Sequence, residues 1–174
     1  MPIKMATWLS GNAVQPEFSP HSQRRMAGSG VFGGADLSEN WFHFPFTTPV
    51  YIDDKRPKLI RFAVLYRMKF CSVLKVQLWS GGERVFSADV PQLPGHIRNT
   101  PDVNRSQFEE GKTLFNFDAA NYREPIEVRQ GLSISVKVKF DSSVHQQLLN
   151  QWLDLPRNIG TIEFYSAGAD WDLI

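Results

Sequence analysis

Leu132, Ile134, Val136, Val138 and Phe140 alternate without interruption with Ser133, Ser135, Lys137 and Lys139. Apolar and polar side chains exchanging at every step over nine residues fit a strand with one buried and one wet face. A helix would scatter both classes around its axis. Gly131 precedes the run and Asp141-Ser142-Ser143 follows it, both suited to turns. A chain with such a strand must supply neighbours for its backbone and a cover for its apolar face.

The neighbours are legible. Lys58 to Lys69 carries Ile60, Phe62, Val64 and Tyr66 on one face and Leu59, Arg61, Ala63, Leu65 and Arg67 on the other, which suggests a central strand. Ser72 to Trp79 sets Leu74, Val76 and Leu78 against Val73, Lys75, Gln77 and Trp79. Ser80-Gly81-Gly82-Glu83 then reads as a hairpin turn into Arg84 to Ser87. Shorter candidates are Ala6 to Ser10, Ala13 to Gln15, Trp41 to Phe44, Thr113 to Phe117 and Thr161 to Ser166. Ser19 to Gly34 and Pro91 to Gly111 show little periodicity and read as long loops. Val144 to Leu153 has helical spacing through Val144, Leu148, Leu149 and Trp152. The expectation is one all-β domain over residues 1–174. It would be an antiparallel, jelly-roll-like sandwich of about eight or nine strands, with one short helix near the C-terminus.

Nineteen basic and eighteen acidic residues nearly cancel, which argues against nucleic acid as the main partner. The single cysteine, Cys71, rules out an intramolecular disulfide framework. No N-terminal apolar run resembles a signal peptide, and no stretch approaches the length of a membrane-spanning helix. These features predict a cytoplasmic protein without a membrane partner. No cofactor is implied. His21, His43, His96 and His145 are scattered, with no pair at metal-ligand spacing. Gly28 to Gly33 fits a dinucleotide fingerprint as a string, but it follows no apolar strand and opens no helix.

The densest aromatic run is Asn40-Trp41-Phe42-His43-Phe44-Pro45-Phe46. On a strand, Phe42 and Phe44 would face the core, and Trp41 and His43 would share the opposite face until Pro45 disturbs the pattern. Trp41 could then be a stacking platform, with His43 a hydrogen-bonding or acid/base group beside it. Packing of both residues is the plainer alternative. Trp8, Tyr51 and Asp170 are further candidates for ligand contact. Asp170 and Trp171 could complete a site, or the C-terminal segment could cover a sheet edge. Glu163, between Ile162 and Phe164, should face water. Asp53 and Asp54 read as a charged turn, with no spacing that supports calcium. Arg61, Arg67, Lys69, Lys75, Lys137 and Lys139 could gather on one sheet face.

Five strings together are informative: Trp8 to Gln15, Asn40 to Pro45, Thr48-Pro49-Val50, Gly131 to Ser135 and Ser166 to Asp170. They resemble a small microbial family of single-domain proteins of unknown function. The resemblance covers most of Thr7 to Asp170, with Val144 to Arg157 longer than the family pattern. It implies no established activity or cofactor, only that the chain is one unit.

The leading functional expectation is recognition of a small ligand, a carbohydrate before other classes, through Trp41, His43, Trp8, Tyr51 and Asp170. A second is a cofactor-free cyclase, isomerase or hydratase using His43 with a carboxylate such as Asp170. That enzyme would need a deep enclosed cavity, whereas a lectin-like site would be a shallow groove. A third is a subunit of a homo-oligomer with the aromatics at its interface.

Overall fold

The computed structural model describes residues 5–49, 51–52, 54–89, 96–99, 109–116, 125–141 and 160–173. Its strands in chain order are β1 (Met5–Ser10), β2 (Gln15–Pro16), β3 (Ser22–Arg25), β4 (Gly30–Gly34), β5 (Glu39–Phe46), β6 (Lys58–Lys69) and β7 (Cys71–Ser80). They continue with β8 (Glu83–Asp89), β9 (His96–Asn99), β10 (Glu109–Asn116), β11 (Ile126–Glu127), β12 (Leu132–Phe140) and β13 (Gly160–Asp172). A single 3-10 turn over Gly11–Ala13 links β1 to β2.

Two antiparallel sheets form a sandwich, as the alternating strands predict. One has five strands in the order β2-β5-β12-β7-β8. The other has eight, with the path β3-β4-β13-β6-β10-β9, β1 beside β13 and β11 beside β6. The described residues hold thirteen strands, more than the expected eight or nine. The excess comes partly from stretches read as loops. Ser19 to Gly34 contains the hairpin β3-β4, and Pro91 to Gly111 contains β9 and the start of β10. These strands carry glycine and polar residues, so their pairing leaves little mark on hydrophobic periodicity. The helix expected over Val144 to Leu153 lies outside the described residues.

The C-terminal segment does not cover an edge. Strand β13 is central, paired along one side with β6 and along the other with β4 and then β1. A register shift between Phe164 and Ser166 moves the inward set from Ile162 and Phe164 to Ala167, Ala169 and Trp171, all buried. Trp171 therefore belongs to the core, where its indole N–H donates to Thr7 Oγ1 at 3.1 Å.

Strand β5 keeps its alternation through Pro45: Phe42, Phe44 and Phe46 are buried, and Trp41 and His43 are half-buried. Phe42 and Phe44 each lie 5.2 Å from the Phe164 ring of the opposite sheet, and Phe42 also lies 5.1 Å from Phe32. Each such ring contributes about 1.5–3 kcal/mol through burial. This aromatic cluster fixes the inner face of β5 and so sets which way its outer face looks.

Candidate functional site

The register of the five-stranded sheet arranges its outer side chains in transverse rows. Gln15 pairs with His43, His43 with Ser135, Ser135 with Gln77 and Gln77 with Ser87. This gives one polar row across all five strands. On one side of it lies the row of Trp41, Lys137, Lys75 and Asp89. On the other lies the row of Pro45, Ser133, Trp79 and Arg84. Two tryptophans thus flank a polar strip, on strands separated by β12.

A groove of about 560 Å³ follows this arrangement, lined by Glu17, Trp41, His43, Gln77, Trp79, Gly81, Ser133 and Ser135. His43 stands in its middle. Its Nδ1 lies 2.8 Å from Ser135 Oγ, and its Nε2 lies 3.7 Å from a Glu17 carboxylate oxygen. The carboxylate favours the proton on Nε2, so the Ser135 hydroxyl donates to Nδ1. Partial burial pushes the imidazole pKa below its ordinary value, against the opposing pull of Glu17. His43 is therefore neutral at pH 7. Its ring can present one N–H to a hydroxyl in the groove while the carboxylate of Glu17 accepts from another.

Gln77 is 8% exposed, yet among the described residues its amide makes a marginal 3.5 Å contact with Ser87 Oγ. The remaining hydrogen-bonding capacity of that amide is available at the groove. At one end, the hairpin after Trp79 turns at Gly81, whose φ of +62° suits glycine. The Gly81 N–H donates to Gly131 O at 2.9 Å and ties the hairpin to the start of β12. Beyond this turn, Ser80, Gly82, Glu83, Val85, Glu127, Arg129 and Gln130 line a second hollow of about 470 Å³.

At the other end, the side-chain amide of buried Asn40 clamps the Phe18 backbone. It accepts from Phe18 N at 3.1 Å and donates to Phe18 O at 2.9 Å. The Glu17 N–H donates to Trp41 O at 2.9 Å. Glu17 is thus positioned by its own N–H bond and by the Asn40 clamp on the residue after it.

Neither a protein-family model nor a curated protein matches this chain. Among solved structures, it is similar to a low-affinity xylan-binding module, CBM86, from Roseburia intestinalis. That match has 10% identity and a TM-score of 0.44, covering 97% of this chain and 96% of the other. A second is CBM29_1, a family 29 carbohydrate-binding module from Piromyces equi. It has 9% identity and a TM-score of 0.42, covering 94% of this chain and 90% of the other.

Of the five ligand candidates chosen from sequence, the structure brings Trp41 and His43 together. The other three lie elsewhere. Trp8 is 56% exposed on the outer face of the eight-stranded sheet, paired with Gly168. A Cβ at Gly168 would meet its ring atoms at 2.6 Å, so glycine there lets the indole lie on the sheet. Asp170 is on that same face, buried and ion-paired with Arg61 at 2.5 Å. It therefore cannot serve as an acid/base partner of His43, because the two side chains project from the outer faces of different sheets. Tyr51 precedes β6, exposed, with the Arg56 guanidinium 5.0 Å from its ring centre.

Glu163 does not face water. Its neighbours across the strand place it opposite Arg67, which it meets at 2.5 Å, and Ser29 Oγ donates to it at 2.8 Å. The basic residues do not gather on one face either. Arg61 and Arg67 lie on the eight-stranded sheet, and Lys75 and Lys137 on the outer face of the five-stranded sheet. Arg61, Arg67, Lys75, Lys137 and Lys139 pair with Asp170, Glu163, Asp89, Glu39 and Asp141 respectively. Asp54 sits at a φ of 58° in a turn closed by bridging between Ile52 and Lys55, while Asp53 lies outside the described residues. Among the described residues, no three His, Cys, Asp or Glu side chains converge as a metal site, and no helix is long and apolar enough to cross a membrane.

Sequence reading missed Trp79, Gln77, Ser135, Ser133 and Glu17 as site residues. Trp79 and Gln77 were visible as one face of a strand. Their partnership with Trp41 depends on β12 lying between β5 and β7, which no local pattern encodes.

Proposed function

We propose that this chain is a carbohydrate-recognition module whose ligand lies in the groove on the five-stranded sheet. The observation that carries the reading is the placement of Trp41 and Trp79 on one open sheet face, with His43, Ser135 and Gln77 between them. Sugar rings present C–H faces that pack on indoles and hydroxyls that need paired donors and acceptors. This strip supplies both. The groove is open, as a lectin-like site requires, and the carboxylate beside His43 is Glu17.

Affinity electrophoresis against soluble polysaccharides and a glycan array test the reading. Retardation by at least one neutral polysaccharide is expected, abolished in Trp41→Ala and Trp79→Ala with their melting temperatures little changed. Failure of the wild-type protein to bind any glycan in both assays would overturn it.

A further inference from the structure

The sheet register also specifies the shape of the ligand. Trp41 and Trp79 are two rows apart along the strands and two strands apart across the sheet. Two rows span about 13 Å and two strand spacings about 10 Å, so the tryptophan Cα atoms are separated diagonally by about 16 Å. The midpoint of this diagonal is Ser135, with His43 on one side and Gln77 on the other. One sugar ring cannot touch both indoles.

We infer, resting on the carbohydrate reading above, that the groove takes a neutral, extended, β-linked oligosaccharide of about four units lying diagonally across the sheet. Each pyranose advances such a chain by about one strand spacing, ~5 Å. The first and fourth rings then stack on Trp41 and Trp79. The two central rings lie over Ser135 and meet the His43 N–H, the Gln77 amide and the Glu17 carboxylate. A straight chain fits because both platforms stand on one sheet face; an α-linked, curling chain leaves that face after one or two rings.

Neutrality follows from the charges. The ammonium groups of Lys137 and Lys75, in the row of Trp41, are already paired with Glu39 and Asp89. The acidic side chain among the lining residues is Glu17, which repels uronate or sulfate groups. The Gly81–Gly82 turn separates the groove from the second hollow and ends the run of subsites beyond Trp79.

Calorimetry with di- to hexasaccharide ladders of cello-, xylo-, manno-, malto- and galacturono-oligosaccharides tests this. For at least one β-linked neutral ladder, affinity should rise at least tenfold from di- to tetrasaccharide and then level off. The malto and galacturonic ladders should bind at least tenfold more weakly. Trp41→Ala and Trp79→Ala should each flatten the rise. A disaccharide that binds as tightly as the hexasaccharide, or a Trp79→Ala ladder that still rises, overturns the extended site while the carbohydrate reading stands. Absence of binding by every ladder, together with a silent glycan array, overturns both.

Discussion

On the eight-stranded sheet, Trp8 lies over Gly168, and the outward carboxylates Glu163 and Asp170 are each buried against an arginine. On the five-stranded sheet, Trp41 and Trp79 stand half-buried over a strip in which Gln77 and His43 keep unspent hydrogen-bonding capacity. Both outer faces carry tryptophan, serine and charged side chains. The first spends its carboxylates on buried pairs with arginines, and the second, beside its paired lysines, leaves part of the capacity of His43 and Gln77 for something else. A face whose polar groups are satisfied internally gains stability and loses the capacity to bind. A face with polar groups held in place and only partly paired has the reverse character.

The comparison breaks most sharply at Arg67. Arg67→Met removes the countercharge of the buried Glu163 carboxylate and leaves it the Ser29 and Tyr165 hydroxyls, which costs about 3 kcal/mol. A fall in melting temperature on the order of 6–12 °C is expected for a chain of this size. Glycan affinity should stay within about twofold, and denaturation alongside calorimetry reads both. On the other sheet the pattern inverts. Trp41→Ala and Trp79→Ala should each weaken binding at least tenfold, about 1.4 kcal/mol. Each should lower stability by only about 1 kcal/mol, because the rings are not fully buried.

Protonation gives a smaller effect. The folded-state pKa of His43 lies below its unfolded value, so the unfolded chain takes up the proton first as pH falls. The stability contributed by neutral His43 is complete above about pH 6.5 and declines as pH drops through the folded pKa. Binding should follow, flat at neutral and alkaline pH and weaker in acid as Nδ1 ceases to accept from Ser135. His43→Gln should remove that acid dependence, as pH-resolved calorimetry would show. The smallest effect belongs to Trp8→Ala: no change in glycan affinity, and a stability loss below about 1 kcal/mol despite removal of an exposed indole.

Strands β6 and β12 were legible to the residue, because each has a long regular alternation. Strands β3 and β4 were not, since Gln23, Arg24, Gly30, Gly33 and Gly34 give no period-two signal. Local alternation also failed at Glu163. It assigned the correct face, but it could not show that Arg67 and Ser29 would close over that face. The two faces of β5 were readable from Trp41 to Phe44, and with them half of the platform pair. Trp79 was on a recognised strand, but its pairing with Trp41 is a property of strand order. Trp8 and Asp170 stood beside Trp41 and His43 as secondary candidates because type and spacing do not say which sheet a strand joins.

Indole N–H signals of the ¹⁵N-labelled protein offer the most direct test, since Trp8, Trp41, Trp79 and Trp171 occupy distinct places in the fold. Titration with a β-linked tetrasaccharide that binds should shift the Trp41 and Trp79 resonances together, along one saturation curve. The Trp8 and Trp171 resonances should stay in place. Movement of the Trp8 signal with Trp41 and Trp79 unmoved would contradict the account, because the ligand would then lie on the eight-stranded sheet.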